Sequence, residues 1–156
     1  LDAEGLGAVL PFANADPGGR AINAELSRWA KERRGRAVCV ASLGQRAYYS
    51  LARRCSVLLG NSSSGIIEGP TLRVPTVNVG ARQDGRLRAP SVIDVPISKE
   101  AIRKALRKAL SPGFRRLAAA GLNPYGSGSV ARRILGVIKK VPLGKALLRK
   151  SFHEDR

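Results

Sequence analysis

Leu59-Gly60-Asn61-Ser62-Ser63-Ser64-Gly65-Ile66-Ile67-Glu68-Gly69-Pro70 is the stretch that decides how this chain folds. Val57, Leu58 and Leu59 run into Gly-Asn, three serines and a glycine, and then into a short helical stretch with one acid. The pattern predicts a strand, a tight turn and a helix N-terminus. The first turn of a helix leaves backbone N–H groups unpaired, with the positive end of the helix dipole behind them. Such a junction suits an anion, most often phosphate. The serine hydroxyls add donors, and Glu68 follows one to two turns on. A ligand with phosphates at one end and hydroxyls nearby is therefore predicted.

Outward from this turn, short apolar runs alternate with amphipathic stretches. Strands are predicted over residues 7–13, 36–41, 56–59, 75–79 and 91–95. Helices are predicted over 19–34, 45–54, 64–72, 98–110, 111–120 and 130–140, with Ser98 as an N-cap and Glu100 in the first turn. Strands separated by crossover helices make a parallel sheet with helices on both faces, and ligands of such sheets bind beyond the carboxyl ends of the strands. The loops at 14–19, 42–45, 61–65 and 80–88 are thus expected at one edge. A doubly wound domain normally opens with a strand and helix ahead of the first strand seen here, and residues 1–6 read as the end of that helix. The Rossmann-like domain is expected over residues 1–141, followed by a basic tail over 142–156.

The chain has 156 residues, one domain's length, and 44% of them are apolar, enough for a core. No apolar run approaches the roughly 18 residues of a transmembrane helix. The start, Leu1-Asp2-Ala3-Glu4, has no basic region of the signal-peptide kind, and the absence of an initial Met points to a start further upstream. Cys39 and Cys55 have no CxxC or His partner, which favours buried, reduced thiols in a cytoplasmic protein over a disulfide or metal site. The only histidine, His153, lies in the tail, which argues against a Ser-His-Asp triad or a His-based metal centre. Net charge is +17, of which residues 99–156 carry +12 and residues 1–98 carry +5. A basic surface attracts polyanions generally. Twenty arginines against eight lysines, spread over helix faces, read mainly as a solvated basic surface. Aromatics make up 4%, which argues against stacking on single-stranded nucleic acid.

Five further segments occur in fixed order around the serine turn: Asn14-Ala15-Asp16-Pro17-Gly18-Gly19-Arg20, Ser42-Leu43-Gly44-Gln45, Pro75-Thr76-Val77-Asn78-Val79-Gly80-Ala81-Arg82-Gln83, Gly85-Arg86, and Asn123-Pro124-Tyr125-Gly126. Together they resemble the C-terminal half of the UDP-N-acetylglucosamine 2-epimerase family, in its hydrolysing branch, over roughly residues 8–140. The non-hydrolysing branch more often has Asp-Ser-Gly-Gly where this chain has Asn61-Ser62-Ser63-Ser64. The resemblance implies a glycosyltransferase-B-like fold of two Rossmann-like domains with UDP-sugar bound between them. It also implies elimination of UDP across C1 and C2 to a 2-acetamidoglycal, then addition of water to give N-acetylmannosamine, a precursor of sialic acid or related surface sugars. No cofactor or metal is implied, and relatives tend to be homo-oligomers.

Matched position by position, the resemblance implies that Ser62 and Ser63 hold the diphosphate, that Glu68 accepts hydrogen bonds from the two ribose hydroxyls, and that Arg82 faces the diphosphate, where a planar fork suits phosphate oxygens. Asn14 is expected near the nucleotide, and Ser42 and Leu43 around the uracil. Gln83, Arg86 and Tyr125 are weaker candidates. Each has an ordinary structural alternative. A serine can simply cap a helix, worth about 1 kcal/mol. Asn14 can open an Asx turn. Glu68 and Arg82 can be solvated surface charges. Gly65 and Gly80 read as backbone permissions rather than contacts. The family's acid–base groups lie in its N-terminal domain and near the start of its C-terminal domain, so this chain is expected to bind UDP weakly and not to catalyse alone. Two alternatives stay open: a diacetamido-trideoxy UDP-sugar as substrate, and a stand-alone basic module for polyanions or nucleotides.

Overall fold

The computed structural model describes residues 1–14, 17–126 and 128–149. Asp16 of the first loop, and His153 with the rest of 150–156, lie outside the described residues. The chain divides into two compact units, Leu1–Tyr125 and Gly126–Arg156. The first holds β1 (Ala8–Pro11), α1 (Gly19–Lys31), β2 (Ala37–Val40), α2 (Gly44–Ala52), β3 (Leu58–Gly60), α3 (Ser63–Ile67), β4 (Thr76–Val79), β5 (Val92–Val95), α4 (Lys99–Leu110) and α5 (Pro112–Ala119). The second holds α6 (Val130–Ile138) and α7 (Lys145–Leu148). The chain is α/β, and every strand pairing in it is parallel. No helix among the described residues is long and apolar enough to cross a membrane.

The expected single sheet is two. β1 pairs with β2, with Ala8 opposite Ala37, while β3, β4 and β5 form a separate three-stranded sheet with Leu58 opposite Thr76 and Thr76 opposite Val92. β1 and β3 are not hydrogen-bonded to each other. The core sits under the second sheet. Val77, Ala105, Leu106 and Ala109 are buried together, with Val57, Val79, Ile93, Val95, Ile102 and Phe114 packed around them. The 3.6-residue period puts Ile102, Ala105, Leu106 and Ala109 on one stripe of α4, which explains their burial. Ser98 caps that helix, its Oγ accepting from the Ala101 N–H at 3.4 Å. Ser111 caps α5 in the same way, accepting from Phe114. Cys39 and Cys55 are free thiols, but half-buried rather than buried, because both line an open cleft. Partial burial pushes the Cys55 thiol up.

Of residues 1–6, expected as the end of a helix, Asp2–Glu4 are helical. Asp2–Glu4 forms one 3-10 turn that Gly5 terminates in the left-handed region at φ 68. Two ion-pair sets fix this segment. The Arg33 guanidinium, stacked on Trp29 at 4.4 Å, donates to Asp2 at 2.8 and 2.9 Å. Arg103 and Arg107 of α4 both donate to Glu4, at 3.0 and 3.1 Å. Hydrogen bonding from Arg33 holds Asp2 below the usual carboxylate range, and hydrogen bonding from Arg103, aided by Arg107, does the same for Glu4. A depressed carboxyl stabilises the fold fully above its unfolded value, and that contribution is lost as pH falls through the folded value. The melting temperature is therefore expected to fall once the pH drops below the ordinary carboxylate range, and Glu4→Gln should flatten that part of the pH–melting profile. A parallel decline in parent and variant would contradict this role for Glu4.

Candidate nucleotide site

The serine turn folds much as its residues dictate, but its helix is short. α3 covers only Ser63–Ile67 rather than 64–72, and Glu68 is its C-cap. Gly69 and Pro70 stop it. At five residues it carries little macrodipole, so the donors available are individual N–H and O–H groups rather than a helix end. Ser62 is the N-cap, and its Oγ accepts from the Ser64 N–H at 3.3 Å. Its hydroxyl thus already has the structural task that a capping serine offers. The N–H groups of Ser62 and Ser63 carry no hydrogen bond among the described residues. The Ser64 hydroxyl donates to the Tyr48 hydroxyl at 2.8 Å and ties α3 to α2.

Close packing on β4 seats α3. Gly65 lies against Thr76, where a Cβ would meet Cγ2 at 2.7 Å. The buried Thr76 hydroxyl donates to the Gly65 carbonyl at 2.9 Å. Gly69 approaches the same hydroxyl, with 2.8 Å left for any Cβ. Gly65 is therefore needed for close approach, whereas Gly80, at φ 76, is needed for its backbone conformation. Asn123 closes the far end of α3, donating to the Ile67 carbonyl at 2.8 Å and to the Thr71 hydroxyl at 2.7 Å.

Glu68 ends this packed segment with an unsatisfied oxygen. Its Oε2 is buried and has no hydrogen-bond partner among the described residues. A buried acceptor without a partner is costly and uncommon in folded proteins. Glu68 follows Ser64 by four residues, which places the two on one face of the segment. That face leads through Tyr48 to α2.

The loop after β4 is anchored to the serine turn. Arg82 Nη1 and Gln83 Nε2 both donate to the Asn61 carbonyl, at 3.3 and 2.8 Å. Gln83 is buried, so it acts as a clamp between the two loops, with its Oε1 left unpaired. Asn78 in β4 donates to Asp94 of β5 at 2.6 Å, and Arg88 donates to the same carboxylate at 2.9 Å. This network joins residues 6 to 16 positions apart and fixes the base of the 80–88 loop. In the sequence its one trace is Asn78, a polar residue in an apolar strand two residues before Gly80.

Asn14, Leu43, Asn61, Ser62 and Arg82 line one cleft of about 1660 Å³ within the first unit. All four loops that follow β1 to β4 thus contribute to it. Asn14 has an exposed side chain, and its carbonyl lies so close to Gly19 that no side chain fits there. Ser42 does not line the cleft. Its Oγ accepts from the Gly44 N–H at 3.2 Å and shapes the start of α2, while Leu43 reaches the cleft. Ser63, Glu68, Gln83, Arg86 and Tyr125 also lie off the lining. The Arg86 carbonyl accepts from Arg88 at 2.7 Å, and the Tyr125 hydroxyl donates to the Leu87 carbonyl at 3.3 Å. Tyr125 braces the 80–88 loop from outside, and Arg86 is held within it. No Asp, Glu or His among the described residues lines the cleft.

Comparison with known proteins agrees with this architecture. The polysialic acid biosynthesis protein P7 of Escherichia coli is 34% identical over 142 residues, covering 91% of this chain and 36% of that protein. The GDP/UDP-N,N'-diacetylbacillosamine 2-epimerase (hydrolyzing) of Campylobacter jejuni is 36% identical over 69% of this chain and 28% of its own length. The UDP-N,N'-diacetylbacillosamine 2-epimerase (hydrolyzing) of Legionella pneumophila is 42% identical over 60% of this chain and 24% of its own. The chain thus spans between 24% and 36% of the length of these relatives. Residues 1–139 match the family described as UDP-N-acetylglucosamine 2-epimerase, and the chain belongs to that family.

Proposed function

We propose that this chain is the UDP-binding portion of a hydrolysing UDP-N-acetylglucosamine 2-epimerase, which converts UDP-N-acetylglucosamine and water to N-acetylmannosamine and UDP for sialic acid or surface polysaccharide synthesis. The observation that carries the reading is the buried, partnerless Oε2 of Glu68 beside a serine turn with unpaired N–H groups. A carboxylate acceptor suits a vicinal diol such as ribose, and N–H and guanidinium donors suit phosphate. In this reading Ser62 contributes through its N–H, Ser63 through N–H and hydroxyl, and Arg82 through its guanidinium. Asn14 and the Ser42–Leu43 loop border the base. In this reading proton transfer at the sugar falls to groups outside this chain, and the cleft lining is without carboxylate or imidazole among the described residues.

A second reading has a specific observation behind it. Two of the relatives have names that give UDP-linked N,N'-diacetylbacillosamine as substrate. Both readings share the UDP end of the ligand. Competition binding separates the UDP site from a general polyanion surface: calorimetry or saturation-transfer NMR with UDP, CDP, ADP and inorganic triphosphate at two salt concentrations. The UDP-site reading predicts a preference for UDP that persists as salt rises. Equal binding of all four, falling steeply with salt, would identify a polyanion surface instead.

A further inference from the structure

Five arginines converge on one concavity of the first unit, a cavity of about 500 Å³. Arg53 and Arg54 follow α2, Arg73 lies in the turn between α3 and β4, and Arg115 and Arg116 belong to α5. Ser56 and Pro75, which lead into β3 and β4, also line it. The cavity therefore sits where these strands begin, whereas the serine turn follows the end of β3.

No carboxylate answers these charges. Among the described residues the lining contains no Asp or Glu. The three segments that build it fall in the stretches 33–67, 69–83 and 101–153, none of which contains an acid. Elsewhere the arginines are matched: Arg28 pairs with Glu25, Arg88 with Asp94, and Arg103 and Arg107 with Glu4. Among the described residues the guanidiniums of Arg53, Arg73, Arg115 and Arg116 have no hydrogen bond or ion pair, and Arg54 donates only to the Ser50 carbonyl, at 2.9 Å. Arg73 also sits at φ 61, a backbone region that side chains disfavour. Its N–H donates to the Pro70 carbonyl at 3.0 Å, and the Val74 N–H to the Gly69 carbonyl at 3.2 Å, which fixes this turn. Gly121, just past α5, makes room for its side chain: a Cβ there would stand 3.3 Å from Arg73 Nε. An arginine thus occupies a position where glycine would be relaxed, and it is laid against the end of the helix that carries Arg115 and Arg116. Strained residues of this kind gather at functional sites.

We propose that this cavity is a second anion site, which takes a small soluble molecule carrying two or more phosphate groups on the guanidiniums of Arg53, Arg73, Arg115 and Arg116. A guanidinium presents its donors as a planar fork that meets phosphate oxygens two at a time. Gathered without counter-charges, the arginines repel one another, and a bound anion removes that repulsion. The lining contains neither lysine nor aromatic residue, so a nucleobase finds nothing to stack on. A concavity closed by three segments of the chain fits a compact ligand, where a nucleic acid backbone needs an extended basic track. The proposal does not rest on the UDP reading, since the serine turn takes no part in it.

The test titrates the ¹⁵N-labelled 156-residue chain with inorganic pyrophosphate in about 0.1 M salt, read at the Ser56, Arg73, Arg115 and Arg116 amides. Saturable shifts at these amides are expected. Arg73→Gly with Arg115→Gln should weaken binding there at least about tenfold. Its melting temperature should not fall, because glycine is at ease at the Arg73 backbone angle. Arg53→Gln with Arg116→Gln leaves that turn untouched and should show a similar loss. Arg20→Gln with Lys99→Gln removes two charges from the starts of α1 and α4 instead. This pair should change the affinity less than about twofold, since salt screens exposed charges beyond about 10 Å. Equal weakening by all three pairs would reduce the cavity to a diffuse basic surface and overturn the proposal. So would full affinity in both cavity variants, or the absence of saturable shifts at these amides. Tighter binding of a short oligodeoxythymidylate than of pyrophosphate, at equal phosphate concentration, would give the surface to nucleic acid and equally overturn it. The amides read lie at the opposite end of the strands from Ser62 and Ser63, so the outcome is separable from that of the nucleotide site.

Discussion

Glu68→Ala is expected to weaken UDP binding at least about tenfold while leaving the melting temperature essentially unchanged. In the proposed complex the carboxylate accepts from two ribose hydroxyls. Hydrogen bonds to charged groups contribute about 1.5–3 kcal/mol, and each 1.4 kcal/mol is a factor of about ten in affinity. Without ligand, Oε2 has nothing to lose, because it is buried and has no partner. Removing it relieves an unpaired buried acceptor, so stability should stay within about 0.5 kcal/mol of the parent or rise slightly. Adding Ser63→Ala should reduce affinity further, because it removes a hydroxyl that makes no hydrogen bond among the described residues. Affinity for UDP would be followed by NMR titration and stability by thermal denaturation. A double variant that binds UDP as well as the parent would remove Glu68 and Ser63 from the site.

Leu106→Ala is expected to cost about 2–5 kcal/mol, the usual range for a buried leucine. Leu106 is 2% exposed and packs with Val77 of β4 across the α4–sheet interface. The neighbours Ala105 and Ala109 are already small, so the cavity has little to collapse into it. β4 also carries Thr76 and Asn78, which seat α3 and the 80–88 loop, so loosening this interface should reach the nucleotide site. Urea denaturation is expected to show a lower midpoint with an unchanged slope. A loss below about 1 kcal/mol would show that the core is not centred where the buried residues place it.

Much of the architecture was legible in the sequence because the signals are local. Strand and helix positions agree within a few residues, and Ser98 caps α4 as its spacing predicts. The helix expected over 64–72, stopped near Pro70, ends a little earlier, at Ile67 with Glu68 as its C-cap. The course of the elements pointed to a strand ahead of β1, but the division into two separate sheets was not read, since strand neighbours are set by long-range pairing. At the site, the serine turn and Glu68 stood out by type and spacing. The structural tasks of its neighbours did not. Gln83 was weighed as a ligand contact but clamps the Asn61 carbonyl. Ser42 and Tyr125 have internal partners as well. Asn78, Asp94 and Asn123 went unassigned because their partners lie 16 to 56 residues away.

The most direct test of a UDP site at the serine turn is a titration of the ¹⁵N-labelled chain with UDP, following every backbone amide. The account predicts that the largest shifts fall on Ser62, Ser63, Glu68 and Arg82, with smaller ones at Asn14 and Leu43 and none at the core amides of α4. Shifts confined to the arginine-rich surface around Arg53 and Arg115, and abolished by salt, would contradict it.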